Sequence, residues 1–143
     1  MAELFAMTED VFLLTGDLDE DKEFCNTADG RPLTRPYAAA RLARSIGADM
    51  EMISMEDAEA LAHSYCESVM QSLRDAAVQV QAAAFKQAGE HIECAILSGR
   101  GEILSDLLAD KLQFSVVKLS DRIGPSASNC ACASAVVKLL ESR

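Results

Sequence analysis

Residues 91–120 decide the fold class, because they hold both segments that predict β-strands. Residues 91–97 read HIECAIL and residues 114–120 read FSVVKLS, two short runs rich in strand-forming side chains. Residues 98–102 (SGRGE) predict a turn, and residues 102–112 (EILSDLLADKL) a helix. After the second run, residues 121–129 (DRIGPSASN) predict a turn and residues 130–143 a helix. This order predicts a βαβα unit with parallel strands.

Two strands make an unusually small sheet. Parallel strands are normally buried on both faces, and a two-stranded sheet is marginally stable on its own. We therefore expect either that a long helix covers this sheet or that the missing strands belong to another chain.

The residues before this unit predict helices rather than strands. Periodic apolar positions predict helices over residues 2–15 and 35–46, each followed by a glycine. A third helix is expected after Ser54, which with Asp57 nearly matches a capping box, and apolar or small residues at steps of three and four extend it to about residue 88. The expected fold is helix-rich α/β: an acidic helical region (1–89) and a βαβα unit (90–143) that pack as one domain.

The charge of the chain is concentrated in its first half. The 143 residues carry 23 acidic and 13 basic side chains, a net charge of −10. Residues 1–72 hold 15 acids and 5 bases, whereas residues 73–143 hold 8 of each. This balance, with 5% aromatic residues and no tryptophan, argues against a nucleic-acid partner or an anionic membrane surface. The acidic N-terminus and the lack of a long apolar run favour a soluble cytoplasmic protein.

The acidic loop after the first predicted helix resembles the opening of a calcium loop only superficially. Asp17, Asp19 and Asp21 have the required spacing. Lys22 stands where that loop needs glycine, and Ala28 where it needs a bidentate glutamate. A solvated acidic loop is the better interpretation.

The cysteines and histidines also predict no metal site. An odd number of cysteines with no C-x-x-C motif indicates neither a disulfide framework nor zinc, and buried thiols are expected. They are Cys25, Cys66, Cys94, Cys130 and Cys132. His63 has Glu59 and Glu67 one turn away on either side, an arrangement that favours an exposed charged helix face over a metal site.

The loop TADGRP (27–32) is the first candidate binding segment. Its Asp-Gly pair predicts a tight turn, and its arginines place positive charge in an acidic neighbourhood. Two interpretations stay open: a loop held by local ion pairs, and a substrate-facing loop that binds an anion. The candidate residues are Thr27, Asp29, Gly30, Arg31 and Arg35.

The two glycine-containing turns are the second candidate. Both would lie at the carboxyl ends of parallel strands, where α/β proteins bind ligands, and both precede helix N-termini that offer N–H groups to an anion. A ligand edge that binds a small phosphorylated molecule and a plain pair of helix N-caps are both open. The candidate residues are Gly99, Arg100, Gly101, Glu102, Gly124, Ser126, Ser128 and Asn129.

Five segments in order resemble a known family. They are AELFAMTEDVFLLTGDL (2–18), TADGRPLT (27–34), ARLARSIGADMEMIS (40–54), SGRGEILSDLLADKL (98–112) and DRIGPSASNCACASAVV (121–137). Together they resemble the C-terminal part of the hydantoinase/oxoprolinase-like proteins called tetrahydromethanopterin-linked C1 transfer pathway proteins, whose archaeal relatives are known as methanofuran-precursor synthases. TADG-x-P-x-T and A-R-L-A-R are the most specific parts.

The resemblance implies an RNase H-like fold of the actin, hexokinase and Hsp70 ATPase type, with residues 1–89 as the helical insertion of its second half. It implies a role in the biosynthesis of a C1-carrier cofactor, in which relatives condense a furan bearing a diphosphate with an amine. It places the glycine turns, Asp29 and Arg31 at the ligand cleft, and offers Arg31, Arg35 and Arg100 to stabilise the leaving diphosphate.

The family's Asp-Gly-Gly and Gly-Ser-Thr-Thr-Thr-Asp type phosphate motifs do not occur in this sequence. We therefore expect an N-terminal partner chain or a second copy, and a nucleotide with Mg²⁺ only where an N-terminal half supplies those motifs. Whether the chain is itself an enzyme stays open, and its catalytic residues are not identified. The alternative is a non-catalytic helical protein that associates with itself.

Overall fold

The computed structural model describes residues 4–105, residue 108 and residues 115–141, and of Arg100, Gly101 and Ile103 only the backbone. The chain divides into two compact units, Met1–Gln71 and Ser72–Arg143. The boundary predicted from the sequence, between residues 89 and 90, stays a prediction.

The first helix, α1 (Thr8–Thr15), is shorter than the predicted 2–15. Met7 is extended at the N-cap position, and its N–H donates to the Asp10 carboxylate at 2.9 Å. That side chain caps the first turn and so defines where the helix begins. Residues 4–7 therefore precede the helix, and residues 2 and 3 lie outside the described residues.

The other two predicted helices are present. Helix α2 covers Arg35–Ser45, with a proline in its first turn, and α3 covers Met55–Ala88. Ser54 and Asp57 form the predicted reciprocal box: the Ser54 N–H donates to the Asp57 carboxylate at 2.9 Å, and the Asp57 N–H donates to Ser54 Oγ at 3.1 Å. The Ser54 hydroxyl also donates to the Asp57 carboxylate, at 2.7 Å, and this bond together with the one from the Ser54 N–H lowers the pKa of Asp57 below its ordinary value.

The core of the first unit is built from these three helices. Its largest fully buried apolar side chains are Leu13, Leu42 and Met70. Several alanines on α2 and α3 have no exposed area, and small side chains of this kind let helices approach closely. The sequence predicted an apolar face along all of α3, but the buried side chains of this helix among the described residues end at Met70.

The second unit contains a parallel sheet of two strands, as predicted. Strand β1 (Cys94–Leu97) pairs with β2 (Ser115–Lys118), and Ile96 lies opposite Val117. The described part of the chain is therefore helix-rich α/β with a two-stranded parallel sheet. The RNase H-like classification stays a prediction.

Both predicted turns contain short helices instead. After β1, residues Gly99–Leu104 form a 3₁₀-helix, which overlaps the first residues of the helix predicted over 102–112; residues 106, 107 and 109–112 of that prediction lie outside the described residues. After β2 come α4 (Ser120–Ile123) and α5 (Pro125–Asn129). Gly124 separates them at φ 83°, a conformation that glycine adopts without strain, and Pro125 begins the second helix. Helix α6 then covers Ala131–Glu141.

The expected burial of both sheet faces is not found. Strand β1 alternates exposed and half-buried residues, and the side chain of Ile96 is 65% exposed. Helix α6 has no buried residue and exposes four large aliphatic side chains: Val136, Val137, Leu139 and Leu140. A sheet of two strands is too small for several helices to pack against it. This accounts for the exposed apolar side chains of β1 and α6.

Candidate functional site

The TADGRP loop is a tight turn held by its own side chains. Gly30 has φ 72° and its N–H donates to the Thr27 carbonyl at 3.2 Å. Thr27 Oγ1 donates to the Arg31 carbonyl at 2.6 Å, which closes the loop from inside. The Asp29 carboxylate accepts from the Arg31 backbone N–H at 3.2 Å. The predicted residues Thr27, Asp29, Gly30 and Arg31 therefore lie together.

Three guanidinium groups converge on Asp29. Arg31 and Arg44 each reach Oδ2 at 2.6 Å, and Arg41 reaches Oδ1 at 3.0 Å. Partial burial by itself raises the pKa of Asp29, but the hydrogen bonds from the arginines outweigh it and hold the pKa well below its ordinary value. Asp29 is therefore ionised at neutral pH, and it anchors the loop to α2. These contacts are those of the local ion-pair interpretation, whereas ligand binding by the loop stays a prediction.

A buried ion pair continues this cluster into the core. Arg41 Nη2 and Nε lie 2.6 and 2.9 Å from Asp10 Oδ1, and neither side chain has any exposed area. Burial by itself lowers the pKa of Arg41, but its bonds to Asp10 and Asp29 more than compensate and raise it. The connected residues Asp10, Asp29, Arg31, Arg41 and Arg44 are called the arginine cluster below.

Sequence reasoning missed Asp10 and did not assign Arg41 or Arg44 to a site. The available signal was an acid in the first turn of α1 together with two arginines three apart in A-R-L-A-R. Asp10 and Arg41 lie on different helices and meet only because α1 packs against α2, whereas Arg44 joins the cluster through Asp29 of the loop.

The remaining loop candidate, Arg35, is engaged elsewhere. Its Nη1 donates to the Leu13 carbonyl at 2.7 Å and its Nη2 contacts Glu59 at 2.5 Å. Arg35 therefore joins α1, α2 and α3, and its described bonds go to residues other than Asp29. The exposed part of Arg31 stacks over Tyr37, with its guanidinium carbon 4.7 Å from the ring centre.

In the second unit, the structure brings the two predicted glycine turns together. The Gly99 N–H donates to Ser128 Oγ at 3.1 Å, and the Ser128 hydroxyl donates to the Glu102 carboxylate. The same carboxylate accepts the Ser120 N–H at 3.0 Å. Ser128 is buried, at 2% exposure. Glu102 thus connects the 3₁₀-helix to α4 and α5.

The Glu102 carboxylate already accepts hydrogen bonds at this edge that a bound anion could otherwise accept. Hydrogen bonds from Ser120 and Ser128 lower the pKa of Glu102, with a smaller contribution from the charge of Lys118. Two backbone N–H groups at this edge are already used, and a negative charge stands beside them. A phosphate group at this edge therefore needs donors other than those of Gly99 and Ser120.

The other predicted residues of this edge lie in the short helices or between them. Gly124 lies between α4 and α5, whereas Ser126 and Asn129 are exposed on α5. Arg100 and Gly101 lie in the 3₁₀-helix, where only their backbone is described. An open cavity of about 480 Å³ lies beside Gly99, Ser128 and Asn129.

The described residues supply no group of three or more His, Cys, Asp or Glu side chains that could hold a metal ion. In the acidic loop, Asp21 Oδ1 accepts the N–H groups of Glu23 and Phe24 at 2.9 and 3.1 Å, which is a local turn. His63 is exposed.

The cysteines differ from expectation in their burial. None of the five forms a disulfide, but only Cys66 is buried. Four are exposed, because they lie in a loop, on the open sheet and around the start of α6: Cys25, Cys94, Cys130 and Cys132. Among the described helices, none is both long and apolar enough to span a membrane.

The sequence is similar to two enzymes with the same name, (4-{4-[2-(gamma-L-glutamylamino)ethyl]phenoxymethyl}furan-2-yl)methanamine synthase. The one from Methanocaldococcus jannaschii is 25% identical over 141 residues, which cover 98% of this chain and 40% of that enzyme. The one from Methanococcus vannielii is 24% identical over 131 residues, which cover 89% of this chain and 56% of that enzyme. No protein-family model matches the sequence.

The chain therefore spans about half the length of the curated relatives it matches, or less. The hydantoinase/oxoprolinase-like classification stays a prediction. What the two similarities support is the methanofuran-related part of the resemblance carried by the sequence motifs.

Proposed function

We propose that this chain forms the C-terminal portion or a subunit of an enzyme of methanofuran or tetrahydromethanopterin-linked C1 cofactor biosynthesis. The observation that carries the proposal is the similarity to the two synthases, which extends over 98% and 89% of the chain. Because the chain spans 40% and 56% of those enzymes, the proposed activity needs a further segment or partner chain.

In this proposal, the chain lines a cleft that binds a phosphate or diphosphate group. Cationic side chains stabilise the charge that develops on a leaving diphosphate. Arg31 and Arg44 are the best placed of the described arginines in the first unit, because their side chains are 42% and 40% exposed while Arg41 is completely buried. Asp29 positions both guanidinium groups.

The test is the binding of inorganic diphosphate, measured by calorimetry. The chain is titrated alone and again with the N-terminal part of the M. jannaschii synthase. We expect binding in the mixture, weakened at least fivefold by Arg31→Gln or Arg44→Gln because each removes one charged donor. Arg74→Gln, which removes an exposed arginine of α3, is the matched control and is expected to bind normally. Absence of diphosphate binding in both titrations would refute the proposal.

A second candidate function is self-association without catalysis. The observation that favours it is the apolar surface of the second unit, where Ile96 is 65% and Leu140 also 65% exposed. Large exposed apolar side chains in series mark interaction surfaces. Light scattering at micromolar concentration tests this function: a dimer supports it, and a monomer contradicts it. A dimer that Leu140→Glu converts to monomer would identify α6 as the interface.

A further inference from the structure

The first unit contains an apolar pocket that the sequence did not indicate. It has a volume of about 330 Å³, within the range of roughly 300–1,000 Å³ that is usual for small-molecule sites. Its wall includes Phe5, Val11, Leu42 and Val69, from the extended N-terminal segment and all three helices of the unit. None of its described lining residues carries a carboxylate, an amine or a guanidinium group. An uncharged group fits this lining better than an ion.

Three hydroxyl side chains interrupt the apolar wall, namely Thr8, Ser45 and Tyr65, and Thr8 Oγ1 lies 3.5 Å from the Glu9 carboxylate. The Ser45 hydroxyl donates to the Leu42 carbonyl at 2.6 Å, so its single proton is already used. The Tyr65 hydroxyl is then the donor across the 3.4 Å that separates it from Ser45 Oγ. That distance is well beyond the ~2.7–2.8 Å usual between hydroxyl groups. Tyr65 is therefore only weakly bound, and its proton is available to an acceptor inside the pocket.

The pocket wall is held by the arginine cluster. Met7 lines the pocket, and its N–H donates to the buried Asp10 carboxylate, which in turn binds Arg41. Leu42 and Ser45 follow on the same helix as Arg41. The wall therefore rests on buried, fully hydrogen-bonded groups, which lowers the cost of ordering the site when a ligand binds.

We propose that this pocket binds an uncharged aryl ether, with Tyr65 donating a hydrogen bond to the ether oxygen. The ligand class rests on the proposed function: the compound named for both synthases contains a phenoxymethyl group on a furan, which is two flat rings joined through one ether oxygen. The pocket offers a mainly apolar wall with the Tyr65 hydroxyl as a donor, which complements that group. The site would hold the ring portion of the substrate or product.

The test uses 2-(phenoxymethyl)furan as the probe, titrated into the isotope-labelled full chain and followed by NMR. We expect saturable shifts confined to signals of the wall, including Val11, Leu42 and Val69. Val69→Phe fills the pocket and should weaken binding at least tenfold. Tyr65→Phe keeps the ring and removes the donor, so a loss of about three- to tenfold is expected for one hydrogen bond.

Tyr37→Phe is the matched control, because Tyr37 lies beside Arg31 and does not line the pocket. It should leave probe binding unchanged within twofold. Because Tyr65→Phe retains the packing of the ring, it serves as the test even where Val69→Phe does not fold. Shifts absent from the wall, or equal affinity in wild type and Tyr65→Phe, overturn the proposal.

The outcome is separable from that of the diphosphate experiment, which uses other residues and another probe. Probe binding without diphosphate binding keeps the pocket and removes the proposed function. Diphosphate binding without probe binding supports the proposed function and overturns the proposal that the pocket binds an aryl ether. A chain that dimerises, loses its dimer in Val69→Phe and does not bind the probe would show that a second copy fills the pocket, and this would also overturn the proposal.

Discussion

Replacement of Asp10 by asparagine should strongly destabilise the first unit. Both carboxylate oxygens are used: Oδ1 accepts from Arg41 Nε and Nη2, and Oδ2 accepts the Met7 N–H. Asp10→Asn keeps the shape of the side chain but removes the charge opposite a guanidinium that has no exposed area. It also places an amide group, which is a donor, against one of these donors.

The magnitude follows from the burial. Removal of one partner from a buried ion pair typically costs about 3–5 kcal/mol, because the other charge is left uncompensated. Asp29 remains 3.0 Å from Arg41 and offsets part of that cost, so we expect the lower end, about 3 kcal/mol. Against a total stability of about 5–15 kcal/mol, this is a large fraction.

Urea unfolding followed by circular dichroism measures this change. With a denaturant dependence of about 1–3 kcal/mol per molar, the midpoint should fall by roughly 1–3 M. Asp19→Asn, which removes the same charge from an exposed loop position, is the matched control and should shift the midpoint little. The double variant Asp10→Leu/Arg41→Met should recover much of the loss, since it buries no unpaired charge. If Asp10→Asn behaves like Asp19→Asn, the reasoning is wrong.

Three further outcomes are expected. Folding lowers the pKa of Asp29, so the stabilisation that its ionised carboxylate provides is present above its unfolded pKa and is lost as the pH falls through the folded value. In Asp29→Asn, the free energy of unfolding should therefore fall less steeply with decreasing pH in the acidic range. An unchanged pH dependence there would contradict this expectation. Glu102→Gln should speed amide hydrogen exchange at Ser120, measured by NMR, because a neutral acceptor binds that N–H less strongly; unaltered protection there would argue against the bridge. In native protein a thiol reagent should modify four cysteines and spare Cys66 until unfolding, and equal rates for all five would contradict the described burial.

The sequence predicted the elements better than their contacts. Glycine and capping residues at helix ends, and the strand-forming runs, were enough to predict α2, α3 and both strands. The start of α1 was missed because it depends on the Asp10 side chain reaching Met7 rather than on hydrophobic spacing. The short helices after β2 were missed because Gly124 and Pro125 predict a turn equally well.

The candidate sites show the same division. The glycines and charged residues of the sequence were enough to identify the TADGRP loop and the glycine-containing turns as candidate sites. The sequence did not show which residues these charged side chains contact. Asp10 and Arg41 are 31 positions apart and meet only because α1 packs on α2. Glu102 was expected among ligand-binding residues, whereas its carboxylate bonds to Ser120 and Ser128. Local sequence reports the chemistry of a side chain, while its partners depend on long-range packing.

The contacts of these charged side chains limit the positions at which the described residues of this acidic chain could bind a phosphate group. Among the arginines of the first unit, Arg41 is buried and Arg35 is paired with Glu59, whereas Arg31 and Arg44 share the single carboxylate of Asp29, so the accessible excess of positive charge lies on Arg31 and Arg44. The arginine cluster contains three guanidinium groups and two carboxylates, and it therefore keeps one uncompensated positive charge. In the second unit, the carboxylate of Glu102 opposes an anion at the joined turns. Anion binding through the described residues should therefore depend first on the loop that Asp29 anchors, and only secondarily on the glycine turns.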